Sequence, residues 1–146
     1  MHNAITSFRG EYHWLSNFWP SEVKYGAFIH PTVEHAYQAA KTTNHDVQAD
    51  IAQLPSPGEA KRMGRKLALR PDWEEIKVEV MYHLLCQKFS DSVLAMELMR
   101  TGNRELVEGN HWGDTYWGVC GGVGQNMLGK LLMCVRAKLI CGLPFR

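Results

Sequence analysis

The sequence predicts an α+β fold, a mostly helical single domain with a few short strands toward its ends. Three observations carry this. Helix caps and apolar residues at a 3.6-residue period recur from Thr32 to Gly102 and again after Asn126. The first thirty residues are instead rich in aromatic side chains and broken by Gly10, Pro20 and Gly26. The length of 146 residues suits one ordinary core, so one domain is expected over 1–146.

In chain order, Phe8, Tyr12, Trp14, Phe18 and Trp19 suit short strands and ordered loops, and Val23–Tyr25 with Ala27–Ile29 reads as a hairpin hinged at Gly26. Thr32 is expected to cap a helix running to about Thr43, and Asp46 a short one to Leu54. SPGE is a capping box, with Ser56 as N-cap, Pro57 at the first helical position and Glu59 reaching back. Pro71 opens a helix whose apolar face holds Trp73, Ile76, Val80, Met81, Leu84 and Leu85, and Ser90 or Asp91 opens the next, which stops at Gly102. Glu105–Gly109 suits a short strand, and the last helix runs from Asn126 to a Gly142 cap.

Composition narrows the function classes. Hydrophobic residues make up 45% of the chain and charged residues 21%, a globular balance. A net charge of +1 gives no global field for nucleic acid or an anionic membrane, so any anion site must be local. No apolar run reaches the roughly 18 residues of a membrane span, which makes a cytoplasmic protein the expectation. Cys86, Cys120, Cys134 and Cys141 form no CxxC pair and no zinc-like Cys/His spacing, so they read as reduced thiols, and neither metal nor cofactor is expected. Cys134 and Cys141, seven apart on one helix, lie roughly 10 Å apart, too far to bridge.

Four stretches can carry chemistry. EHAYQAAK spaces Glu34, Gln38 and Lys41 at i, i+4 and i+7, which lines a carboxylate, an amide and an amine along one helix stripe, either a pocket wall or a solvated face. AKRMGRK sets Lys61 and Arg65 one turn apart with Gly64 allowing close approach, which suits a phosphate but is also a common solvated face. HWGDTYWG puts Asp114 among Trp112, Tyr116 and Trp117, a set that can stack a planar ring or plug the core. GGVGQN lacks the spacing of a Walker loop or a dinucleotide fingerprint, yet its glycines precede a helix start, where Asn126 is either cap or ligand contact.

In this order the segments resemble the NADAR (NAD- and ADP-ribose-associated) family, whose members include the YbiA-like proteins. The resemblance runs through LSNF at Leu15–Phe18, Val33-Glu34-His35 with Gln38 and Lys41, Ala60-Lys61 with Gly64-Arg65, Trp73, Lys88-Phe89, Val107-Glu108, Asp114 with Trp117-Gly118, and Gly124 with Asn126 and Leu128-Gly129. It implies a YbiA-like fold and N-glycosidase activity on ribosylated compounds: either phosphorylated ribosylaminopyrimidine intermediates of riboflavin biosynthesis or ADP-ribose on guanine, including guanine in nucleic acid. Carried onto this chain, Glu34, Lys41 and Asp114 are the expected catalytic residues. Asn17, Phe18, Gln38, Lys61, Arg65, Trp73, Trp117, Gly118 and Asn126 are the expected substrate contacts. The rival expectation is a module that binds ADP-ribose or a nucleotide without cleaving it, which would have no use for Glu34 and Lys41 on one stripe.

Overall fold

A computed structural model describes residues 3–145. Their contacts gather into two compact units, one continuous (Asn17–Lys88) and one discontinuous, made of the chain up to Ser16 and from Phe89 onward.

In the continuous unit, β1 (Pro20–Tyr25) and β2 (Phe28–Thr32) form an antiparallel hairpin with Tyr25 opposite Phe28 and Val23 opposite His30. The turn passes through Gly26 at φ 58°, where a side chain would be strained. The hairpin is longer at both ends than its apolar core suggested. Thr32 caps α1 (Val33–Ala39) as expected, its hydroxyl accepting from the His35 backbone N–H at 3.1 Å.

All seven residues of α1 are buried, because the hairpin and three further helices surround it. The helix stops at Ala40 instead of Thr43, and two tight bonds, Lys41 N–H to Gln38 O and Thr42 N–H to Ala39 O, turn the chain out of it. Helix α2 (His45–Ala52) is capped by Asn44 and not by Asp46, which falls in the first turn and favours the helix dipole there. Helix α3 (Pro57–Gly64) starts on Ser56, whose oxygen accepts from Glu59 N–H. The Glu59 carboxylate accepts a hydrogen bond from the Ser56 hydroxyl at 3.0 Å and so departs from the reciprocal box. Helix α4 (Trp73–Lys88) begins two residues past Pro71, after Arg70 has paired with Asp72 at 2.6 Å.

His30, at the hairpin's inner face, is wholly buried, and neither ring nitrogen has a hydrogen-bond partner among the described residues. Burial, aided by nearby His35, lowers its pKa from 6.5 to about 4. The unfolded chain therefore binds a proton below 6.5 that the folded chain refuses until about 4, so stability is complete above 6.5 and falls with pH through that window. A shift of this size corresponds to about 3 kcal/mol. Urea unfolding at pH 7.5 and pH 4.5 should show the loss, and His30→Leu should shrink it.

In the discontinuous unit a 3-10 helix, Gly10–Leu15, occupies the segment expected as strands and loops. Ile5 pairs in parallel with Leu106, through Ile5 N–H to Glu105 O and Val107 N–H to Ile5 O, both 2.8 Å. The expected 105–109 strand is thus reduced to a bridge, and the regular pairing lies just beyond it, where β3 (Gly109–Asn110) runs parallel to β4 (Val119–Cys120). Asp91 caps α5 (Ser92–Arg100) with two 2.9 Å bonds, and α6 (Met127–Cys141) ends on Gly142 at φ 65°. Leu98, Leu106, Leu132 and Val135 are fully buried here. All four cysteines are free, and among the described residues no helix is long and apolar enough to cross a membrane.

Candidate active site

The continuous unit assembles Glu34, Gln38, Lys41, Lys61 and Arg65 around the end of α1. Gln38 Nε2 donates to Glu34 Oε1 at 3.0 Å, and both side chains are buried, so the carboxylate is held in one orientation. The other amide atom, Gln38 Oε1, packs against Gly64. A Cβ at Gly64 would stand 1.8 Å from it, so only glycine lets α3 close on α1. The solvated-face alternative for this stripe is therefore excluded by burial.

Lys41 departs from the expected stripe by lying just past the helix. Its Nζ stands 5.4 Å from the centroid of Tyr37, whose ring packs on Trp73 at 5.2 Å. No hydrogen bond or ion pair engages the amine among the described residues. Burial and Glu34 pull its pKa in opposite directions. Burial dominates and lowers it from 10.5, Glu34 raises it by a smaller amount, and the charges of Arg65 and Lys61 lower it again. The two basic residues read as a phosphate clamp thus also favour a neutral Lys41.

At the start of α1, Asn17 accepts the Glu34 N–H on its backbone oxygen at 3.1 Å. Its Nδ2 rests 3.6 Å from Met81 Sδ, while its buried Oδ1 has no donor. Phe18 beside it is half-buried. Trp73, expected as a substrate contact, is buried at 3% exposure, and its ring supports Tyr37.

In the discontinuous unit Asp114 Oδ1 accepts from the backbone N–H of Tyr116 at 3.1 Å and of Trp117 at 2.9 Å, so the carboxylate shapes its own turn. Asn110 clamps the same turn from the other side, donating to Asp114 O at 2.8 Å and accepting from Asp114 N–H at 3.0 Å. Trp117 is half-buried, its ring edge-on to Tyr116. Gly118 is needed for packing, since a Cβ there would meet the Glu108 backbone oxygen at 2.2 Å.

Asn126 sits at the head of α6 in the left-handed region, φ 54°, without capping it. Its Oδ1 accepts from Glu108 N–H and its Nδ2 donates to Leu106 O, both at 2.9 Å. Both ends of the amide are therefore engaged within the protein, so Asn126, expected as cap or ligand contact, ties Leu106 and Glu108 to the head of α6. Glu108 and Asn110 belong to this network and were not singled out beforehand; Glu108 had appeared only within a family motif. A separate cavity of about 430 Å³ in this unit, lined among others by Thr6, Arg9 and His111, includes neither Asp114 nor Trp117.

Residues 6–140 match the family model described as the NADAR domain, a span that includes most of both units. The N-glycosidase YbiA of Escherichia coli is 40% identical over 131 residues, covering 86% of this chain and 80% of that protein. The N-glycosidase Npun_R5314 of Nostoc punctiforme is 37% identical over 136 residues, with 86% and 84% covered. The riboflavin biosynthesis protein VVA0006 of Vibrio vulnificus is 37% identical over 129 residues, and the matched region spans only 35% of that longer protein. The NMR structure of E. coli YbiA superposes with a TM-score of 0.84 at 36% identity, covering 97% of this chain and 88% of that one. The motif order, the α+β architecture and relatives matched over most of their length converge: the chain belongs to the NADAR family, and its activity class is that of the family's N-glycosidases.

Proposed function

We propose that the chain hydrolyses the bond between C1 of a 5-phosphorylated ribose and the exocyclic nitrogen of an aminopyrimidine, a substrate of the riboflavin pathway. The observation that carries this reading is the desolvated Lys41 amine, flanked by a carboxylate and two cations. Lys61 and Arg65 hold the phosphate. Neutral Lys41 attacks C1 through Nζ as the C1–N bond to the base breaks, and Glu34 passes the proton that Nζ loses to the departing nitrogen. The sugar ring opens at its C1–O bond, the ring oxygen taking the remaining proton of Nζ to become a hydroxyl, and an imine is left between C1 and Nζ. Water adds to C1, the C1–Nζ bond breaks, and ribose phosphate leaves with the amine regenerated. Asp114 is proposed as a second carboxylate of the reaction, Trp117 as a stacking face for the base, and Asn17 Oδ1 as an acceptor for a ribose hydroxyl or base N–H.

The direct test offers a panel of ribosylaminopyrimidine phosphates, their dephosphorylated forms and ADP-ribosylated guanine, with released base followed by mass spectrometry. Release from the first set is expected. Release from guanine alone would move the substrate to ADP-ribosyl adducts, and silence across the panel would favour the binding module. Glu34→Gln is expected to keep the fold and lower kcat by about 10²–10⁴. Arg65→Ala should raise KM for phosphorylated substrates about tenfold or more and that for dephosphorylated ones far less, because a charge-assisted contact of about 1.5–3 kcal/mol exists only with the phosphate. Near-normal turnover in a folded Glu34→Gln variant would remove Glu34 from the reaction.

A further inference from the structure

His35 stands next to Glu34, and its bonds define its state. Nε2 lies 3.0 Å from Leu54 O, an atom that can only accept, so Nε2 carries the proton. Nδ1 lies 2.7 Å from Thr32 Oγ1, which accepts from the His35 backbone N–H and can donate its hydroxyl hydrogen to Nδ1. With burial lowering the pKa of the ring, these bonds fit the neutral Nε2–H tautomer. Burial favours that neutral form over the opposing influences of Glu59 and Leu54, and buried His30 lies close by.

Leu54 is two residues ahead of Ser56, the cap of α3. The bond from His35 thus ties the first turn of α1 to the connection that launches α3. At its far end α3 meets α1 again, where Gly64 closes on Gln38. Two attachments on one short helix fix its position along α1, and α3 and its C-cap carry Lys61 and Arg65, the cations that act on Lys41.

We propose that His35 is a positioning residue of the glycosidase reaction: by tying Leu54 to the first turn of α1 it holds Lys61 and Arg65 at the distance from Lys41 that both phosphate capture and amine attack require. This rests on the reading of Lys41 as nucleophile and of Lys61 and Arg65 as phosphate ligands. The groups acting on Lys41 are Glu34 from α1 and Lys61 and Arg65 from α3 and its C-cap; those acting on His35 are the Leu54 carbonyl ahead of α3 and Glu59 from α3, while His35 itself acts on His30 of β2.

The test compares His35→Leu, which breaks both bonds, with His35→Gln, whose amide can keep a donor toward Leu54 O. With α3 loosened, His35→Leu should raise KM for the phosphorylated substrate at least tenfold, change KM for the dephosphorylated one little, and move the rise of kcat with pH to more alkaline values as the cations withdraw from Lys41. His35→Gln should restore both readouts substantially. A uniform loss of kcat with unchanged pH profile and unchanged phosphate preference would overturn the proposal and leave His35 a fold residue. Two activity-independent measurements separate this from failure of the underlying reading. Nitrogen NMR of the wild-type imidazoles at pH 7 should give His35 as the Nε2–H tautomer, and His35→Leu should shift the Gln38 side-chain amide and the Arg65 guanidinium resonances. If these hold while Lys41→Ala remains active, the reading of Lys41 has failed and the clamp has not. If the other tautomer is found or those resonances do not move, the clamp itself is wrong.

Discussion

Lys41→Arg is expected to abolish base release, by about 10³-fold or more, in a chain that stays folded. Arginine keeps the length and the charge over Tyr37, so it preserves any role in orienting the sugar, but its guanidinium does not become a neutral nucleophile near pH 7. Borohydride added during turnover should fix one sugar to wild-type Lys41 and none to the variant, read by intact mass and peptide mapping. Unmodified wild-type protein after trapping under active turnover would sink the imine route and leave the two-carboxylate mechanism. The pH dependence has a definite sign. The reactive form is the neutral amine, so kcat should rise with pH and reach its half-maximum below the ordinary lysine value of 10.5. Glu34→Gln, whatever its residual rate, should move that half-maximum lower still, since Glu34 is the one named group that raises it.

Gly129→Ala should cause the largest loss of stability. In an isolated helix alanine would be favoured over glycine by about 1 kcal/mol. In α6 the added Cβ would lie 2.0 Å from Leu106 O and within 2.5 Å of the Asn126 amide. The side chain of Asn126 would be displaced from both of its bonds, leaving the Leu106 carbonyl and the Glu108 N–H without partners. Overpacking and lost buried hydrogen bonds together should cost about 3–5 kcal/mol, a large share of the total for a domain of this size. Thermal unfolding should drop by about 10 °C or more. A shift of under about 2 °C would show that α6 can move away at little cost.

What was legible in the sequence is what depends on near neighbours. The Ser56 cap, the Thr32 cap and the Gly142 stop each follow from a side chain within three or four residues of its partner, and the hairpin follows from its glycine and flanking strands. The pairing of Glu34 with Gln38 is likewise an i, i+4 matter. Expectations departed from the structure where a distant contact decides. Asn44 took the cap assigned to Asp46, and α1 ended early with Lys41 beyond it. Trp73 became the support for Tyr37, and the Asn126 amide went to residues 18 and 20 positions away. Lys41 shows the boundary best. Its spacing from Glu34 and Gln38 is read directly, but the contribution of Lys61 and Arg65 to its protonation needed α3 folded back on α1.

The discontinuous unit has a consequence for synthesis on the ribosome. Ile5 waits for Leu106, and the Asn3 carbonyl for an arginine 101 positions later. Closing so long a loop costs roughly 2 kcal/mol more chain entropy than closing one of about ten residues. At translation rates of about 5–20 residues per second, the partners emerge on the order of 5–20 s after the N-terminal segment does. Throughout that interval Ile5, 2% exposed once folded, and the Asn3 carbonyl lack these partners. The segment between them and their partners can meanwhile make its own local contacts, so the burden of transient stickiness falls on the first sixteen residues.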